Sequence, residues 1–278
     1  MRQASVIRGA MLSNARQALN GDRVLPFYQP KLCLKTGKVG GFEALLRWRS
    51  PEGEIQSPGS IAAAFEDVEL STRITNRMLE SIMRDCSRWK SKGVAYGRIA
   101  FNASAPDFRQ GDFAERMLGY ISAADLLPSR FELEVTESVF IGHNAERIVR
   151  MLGTLREGVT IALDDFGTGY ASLTHLQQFP VDVLKIDRSF VSPIGSDACS
   201  GSAVVDAVLQ MARSLGITTV AEGVETLQQA EYLRARGCDI GQGFLFGRPS
   251  GAGQLPDLCG RGGGLGSLSY LSVAAATG

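Results

Sequence analysis

Thr160-Ile161-Ala162-Leu163-Asp164-Asp165-Phe166-Gly167-Thr168-Gly169-Tyr170 decides how the rest of the chain is read. Its opening residues form a β-prone, almost wholly apolar run of the kind found in parallel strands covered on both faces. The run closes on paired carboxylates, and a carboxylate at the end of a buried strand is costly unless a cation or hydrogen bonds compensate it. The glycines beyond mark a turn or mobile loop. The same pattern recurs at Glu43 in GFEALLRW (41–48), Glu134 in FELEVTES (131–138) and Glu222 in TTVAEGVE (218–225). Acidic strand ends repeated around one sheet point to a metal centre with oxygen ligands.

Outward from this stretch, β-prone segments at 24–34, 39–48, 98–102, 131–136, 160–166, 183–186, 218–221 and 239–246 alternate with helical spacing at 60–91, 112–124, 144–157, 202–215 and 227–236. The alternation predicts an α/β fold, closed most simply as a (β/α)8 barrel. Only Lys35-Thr36-Gly37-Lys38 separates the first two strands. That is too short for a parallel crossover, so the expectation is a modified TIM-type barrel with an antiparallel first strand pair. Barrel active sites sit at strand C-termini, where Asn102, Glu134, Asp164, Asp165, Lys185 and Glu222 all fall.

Composition narrows the chemistry. The chain has 278 residues, 44% of them hydrophobic, enough for one large core. Its 29 basic residues balance 29 acidic ones, so no long-range field favours a DNA or RNA duplex or an anionic membrane. The 5 cysteines are widely spaced with no CxxC, which argues against a disulfide framework or a zinc site and fits a reducing cytoplasm. With 2 histidines, oxygen ligands must dominate any metal site. No run is long and apolar enough to span a membrane, residues 1–20 lack a secretory core, and they read as a short helix leading into the domain. Residues 1–250 are expected to form one domain, with its core at about 12–249, and the glycine-rich stretch 251–278 a disordered tail.

EALLRW, FNAS around Asn102, ELEVTES, DDFGTGYASL, LKIDRSF, VAEGVET and GQGFLFGRP stand here in order, and together they resemble the EAL domain family of bacterial cyclic di-GMP phosphodiesterases over roughly residues 12–249. The resemblance implies hydrolysis of one 3′,5′ linkage of cyclic di-GMP to linear pGpG with two divalent cations, Mg²⁺ or Mn²⁺. It implies that Glu43, Asn102, Glu134 and Asp164 hold one cation and that Asp165 helps to hold a second. It places Lys185 beside the attacking water and scissile phosphate, and makes Glu222 a ligand of metal-bound water or a base. Glu137 would anchor the loop after Asp165, and Gln29, Arg47 and Gln242 would contact substrate or line the site.

The residue types support these roles without the resemblance. Mg²⁺ and Mn²⁺ prefer carboxylate and amide oxygens, and a pair of them both acidifies water and stabilises attacking and leaving oxygens. Arg47 can fork onto a phosphate or form a salt bridge within the barrel. Asp187 can orient Lys185 or join the metal-water network, Gly223 permits a sharp turn after Glu222, and Glu225 can cap the helix that follows. Phe246 or Tyr170 could stack on a guanine. Ala171 stands where the family commonly has serine, and Val135 is a conservative variant. The competing readings are a catalytically silent cyclic di-GMP receptor acting through a protein partner and an enzyme for another phosphodiester. Related domains often pair beside the loop after Asp165, so a homodimer is compatible with the sequence.

Overall fold

The structure, a computed structural model, describes residues 2–109, 111–140, 145–167, 179–195 and 200–260. Its strands are β1 (Val24–Cys33), β2 (Val39–Arg49), β3 (Ile55–Gln56), β4 (Arg98–Ala103), β5 (Phe131–Thr136), β6 (Thr160–Phe166), β7 (Val183–Ile186), β8 (Thr218–Ala221), β9 (Ile240–Gln242) and β10 (Ser250–Gly251). Around the barrel the order is β1-β2-β4-β5-β6-β7-β8-β9, and β1 pairs with both β2 and β9 to close it. Every pairing from β2 through β9 around the barrel is parallel, whereas β1 is antiparallel to both neighbours. The barrel is therefore the expected modified TIM type, with β1 its reversed strand.

Side-chain alternation divides the interior from the main core. Leu133, Val135, Leu163 and Leu184 belong to the large cluster packed beneath the helices, while Ala162, Val183 and Val220, with Ile240 against them, form a separate small apolar cluster. Those four residues share strand parity with Asp164, Lys185, Glu222 and Gln242. The barrel thus carries a small apolar plug with a polar layer at the strand C-termini. Close strand approach also needs glycine: a Cβ on Gly41 in β2 would lie 2.2 Å from the Arg98 carbonyl oxygen of β4.

The predicted 60–91 helix is divided. Pro58–Phe65 forms 3₁₀ turns and Val68–Ser91 an α-helix, because Asp67 accepts from the Leu70 N–H and starts a new helix there. The other helices, Arg2–Asn20, Phe113–Ala123, Ala145–Arg156, Ser200–Leu215 and Leu227–Ala235, lie close to their expected positions. The predicted strand 239–246 is shorter, Ile240–Gln242. Beyond it the chain turns so that the Leu245 N–H donates to the Val224 carbonyl at 3.0 Å, and a Cβ on Gly243 would meet that same oxygen at 2.1 Å. Past residue 250, Gly251 pairs with Phe27 and Leu255–Gly260 forms a short helix that buries Leu255. The rest of the expected tail, 261–278, lies outside the described residues. Among the described residues no helix is long and apolar enough to cross a membrane.

Candidate active site

Lys185 is the hub of the barrel mouth. Its Nζ lies 2.6 Å from Glu134 Oε2, 2.7 Å from Glu222 Oε1, 3.0 Å from Asp164 Oδ1 and 3.8 Å from Glu43 Oε2. β7, β5, β8, β6 and β2 each deliver one of these groups, Glu222 from the residue after its strand. Glu43 is held on both oxygens: Asn102 Nδ2 donates to Oε1 at 2.8 Å and Gln242 Nε2 to Oε2 at 2.5 Å. Gln242 Nε2 also reaches Gln29 Oε1 at 3.2 Å, and Gln29 Nε2 donates to the Gly247 carbonyl at 3.0 Å. Gln29, Glu43, Asn102, Asp164, Lys185, Glu222 and Gln242 line a cavity of about 360 Å³, and fully buried Glu134 lies under it.

Asp164 and Asp165 are neighbours in a strand and would ordinarily point to opposite faces. Asp165 has a positive φ of 54°, and the β6–β7 register shifts between Leu163 and Phe166. This irregularity turns both carboxylates toward one side, so that Asp164, Asp165 and Glu222 each offer an oxygen within 4.8 Å of the others. Gly223 adopts φ 65°, and a Cβ there would sit 2.4 Å from Arg188 Cβ, so the turn after Glu222 requires glycine.

The charges do not balance locally. Burial, reinforced by Glu134, pushes Glu43 up to about 8. Burial likewise raises Glu222 to about 7 despite Lys185 beside it. Asp165 is raised by burial and by Asp164. Glu134 behaves oppositely: burial alone would raise it, but Lys185 and Lys31 outweigh that and hold it down at about 2. Lys185 is likewise buried, yet its ring of carboxylates keeps it charged well above the ordinary lysine range. A set of oxygen donors with surplus negative charge, free of histidine and cysteine, fits hard divalent cations.

The other expected residues divide. Glu137 Oε1 accepts from the Gly167 N–H at 3.2 Å, at the start of the loop after Asp165. Residues 168–170, Tyr170 among them, and Ala171 lie outside the described residues. Asp187 lines the cavity and accepts from the Ser189 N–H at 2.9 Å. Arg47 does not line this cavity. It donates to the Leu46 carbonyl at 2.7 Å and lines an adjoining, largely apolar cavity of about 560 Å³ that shares Leu45 and Asn102 with the first. The cap of the 227–235 helix is Thr226 rather than Glu225, which lines the cavity instead. Phe246 is 1% exposed and part of the core, so it cannot stack on a ligand. Phe244, 46% exposed at the mouth with the Arg248 guanidinium 4.1 Å above its ring, is placed to do so.

Sequence reasoning missed Phe244, Lys31 and Glu132. For Lys31 and Glu132 period-2 alternation was the available signal, since Lys31 follows Gln29 and Glu132 precedes Glu134 by two within their strands, whereas Phe244 lies in the turn beyond β9, where no alternation marks it. Lys31 Nζ lies 2.7 Å from Glu132 Oε1 and 2.6 Å from Glu134 Oε1, all three buried.

The class of protein these features define is a (β/α)8 barrel with one reversed strand and an acidic, lysine-centred cluster of oxygen donors at its mouth. The chain belongs to the EAL domain family, whose family model matches residues 12–249. It is 38% identical over 245 residues to the bifunctional diguanylate cyclase/cyclic di-GMP phosphodiesterase MucR of Pseudomonas aeruginosa, covering 88% of this chain and 36% of that protein. It is 36% identical over 240 residues to the cyclic di-GMP phosphodiesterase NbdA of the same organism, covering 86% of this chain and 30% of the relative. The chain thus spans about a third of the length of these relatives. Among solved structures, it resembles the MucR phosphodiesterase in complex with c-di-GMP, with a TM-score of 0.82 and 38% identity over 88% of this chain and 99% of that one. It also resembles the EAL domain of Mycobacterium smegmatis DcpA, with a TM-score of 0.72 and 32% identity over 88% and 99%.

Proposed function

We propose that this chain is a divalent-cation-dependent phosphodiesterase that hydrolyses cyclic di-GMP to linear pGpG. The observation that carries the reading is the convergence of Glu43, Glu134, Asp164 and Glu222 on Lys185, with Asn102 on Glu43 and Asp165 beside Asp164. The similarity to relatives named cyclic di-GMP phosphodiesterases and to a phosphodiesterase solved with c-di-GMP supports the choice of substrate. Two adjoining cavities, one ringed by charge and one largely apolar with Arg47 and Arg109 on its lining, suit a ligand that combines phosphodiesters with purine bases.

Mg²⁺ or Mn²⁺ would be held by Glu43, Asn102, Glu134 and Asp164, with Asp165 serving a second ion. When bound, these cations supply an acidified water and stabilise charge on the attacking and leaving oxygens. The protein's own part is orientation and proton handling. Asn102 and Gln242 fix the Glu43 carboxylate in one plane. Lys185 keeps a positive charge against the negative charge that develops on the phosphoryl oxygens. Glu222, with its affinity for a proton raised to near neutrality, takes the proton from water as the new O–P bond forms and the P–O3′ bond breaks, and the departing O3′ takes up a proton from solvent as Glu222 returns its own. Glu137 sets the loop after Asp165, and Phe244 and Arg47 receive base and phosphate. The free Cys33, Cys86, Cys238 and Cys259 accord with a cytoplasmic setting.

The test is to incubate the purified protein with cyclic di-GMP and Mg²⁺ or Mn²⁺ and follow linear pGpG by chromatography beside Glu43→Ala. Product that depends on both the cation and Glu43 supports the assignment. Binding of cyclic di-GMP without product would make the domain a receptor, and absence of both would remove the substrate.

A further inference from the structure

Beneath the catalytic layer lies a buried ion pair that the reaction as described does not use. Lys31 Nζ bridges Glu132 Oε1 at 2.7 Å and Glu134 Oε1 at 2.6 Å, while the other oxygen of Glu134 faces Lys185 at 2.6 Å. Lys31 is 5% exposed, Glu132 4% and Glu134 0%. Such a pair contributes little net stability, because the cost of removing its charges from water offsets their attraction. Its geometry, however, leaves Glu134 a single orientation. We infer that Lys31 is a positioning residue: it ties down one oxygen of Glu134 from below, so that the other is the oxygen presented to the cation site and to Lys185, with Glu132 supplying the counter-charge that keeps this layer neutral.

The fold explains why this task falls to β1. Lys31 pairs in register with Gln242 on one side and Gly41 on the other, where the reversed strand closes the barrel. Opposite Gly41, Lys31 reaches across the lumen to Glu132 and Glu134 of β5. Neighbouring Gln29, two residues earlier on the same face, extends toward Gln242 and Gly247 instead. The reversed strand thus brings one cation under the site without contributing a carboxylate to it. Without Lys31, Lys185 would be the remaining ammonium able to hold Glu134. Both carboxylate oxygens could then turn onto it and away from the ligand position. Groups that orient metal ligands from behind typically change metal affinity or activity by about 10–100-fold when removed.

The inference rests on the proposed cation site, and its test separates the two. Lys31→Met combined with Glu132→Leu removes one positive and one negative charge, so the net charge of the barrel interior is preserved while the restraint on Glu134 is lost. The double variant should unfold at a urea midpoint close to that of the unaltered protein, as expected for exchange of a buried ion pair for an apolar one. Its Mn²⁺ affinity, measured by calorimetry without substrate, should fall by about tenfold or more, and kcat at saturating Mn²⁺ should fall with KM for cyclic di-GMP little changed. Lys31→Met alone should lose urea resistance, because the buried Glu132 carboxylate then keeps only its 3.9 Å contact with Arg98, and adding Glu132→Leu should restore stability but not Mn²⁺ affinity. Recovery of both together would show a purely structural role and overturn the inference while leaving the proposed function intact. An unaltered protein that neither binds Mn²⁺ nor hydrolyses cyclic di-GMP would overturn both.

Discussion

Lys185 Nζ and Glu134 Oε2 meet at 2.6 Å from β7 and β5, both side chains fully enclosed by protein. Glu134 would keep Lys31 if Lys185 were lost, but Glu222, Asp164 and Glu43 would lose the ammonium they share. Lys185→Met should lower stability by about 3–5 kcal/mol in the absence of divalent cation. Mn²⁺ should recover part of that loss, since it supplies positive charge to the same carboxylates. Turnover should drop by about 100-fold or more even at saturating Mn²⁺. Urea unfolding with and without Mn²⁺, beside product analysis, checks each part.

Cation binding should tighten as pH rises through neutrality. Glu43 at about 8 and Glu222 at about 7 stand above the ordinary 4.5 of a glutamate. Below 4.5 both are protonated whether the chain is folded or unfolded, and they cost nothing. As pH rises from there toward their folded values, the unfolded chain ionises them freely while the fold resists, so stability without cation declines. A divalent ion needs them ionised, so Mn²⁺ binding should strengthen between about pH 6 and 8 and release protons. Calorimetry in buffers of different ionisation enthalpy would reveal that release; flat affinity across the range would contradict these proton affinities.

Glu137→Ala removes the acceptor for the Gly167 N–H. The expected loss is about 1 kcal/mol of stability. Because the change acts on the loop after Asp165, kcat should fall by about tenfold or more while Mn²⁺ affinity at the first ion stays within about twofold. Equal losses in both quantities would mean that Glu137 shapes the cation site itself.

Gly41→Ala tests barrel closure apart from chemistry. Its Cβ would lie 2.2 Å from a backbone oxygen of β4, which no side-chain rotation can relieve. β2 and β4 must separate, at about 1–3 kcal/mol. A urea midpoint unchanged from that of the parent protein would show that the strands have more slack than this packing implies.

Phe244→Ala should raise KM for cyclic di-GMP by about tenfold with kcat nearly unchanged, the loss expected when a base gives up an aromatic platform worth about 1–3 kcal/mol. Unaltered KM would place both bases elsewhere. Steady-state kinetics at fixed Mn²⁺ decides between these outcomes.

Much of the architecture was legible because it depends on local pattern. The apolar runs of β5 to β8 begin and end where their composition changes, and a five-residue link between β1 and β2 leaves no route but reversal. The divided helix at 58–91 was harder to read. Hydrophobic spacing continues through it, and Asp67 acts as a cap only once the chain around it has turned. The short β9 has a similar cause, because Gly243 yields to a contact with Val224 far away in sequence.

The sequence by itself determined the chemical inventory: carboxylates and an amide at strand ends, a lysine among them, and too little histidine or cysteine for another kind of metal site. Those choices are local, since residue type and two-residue alternation set which groups can face a barrel's interior. Tertiary structure decided which of them meet. It brought Lys31 across the lumen to Glu134, turned Asp164 and Asp165 to one side through a strand irregularity, moved Arg47 to an adjoining cavity, and exchanged Phe246 for Phe244 at the mouth. Each depends on register and closure between strands distant in the chain, and on burial that raises some carboxylates and lowers another according to the charges that come to surround them.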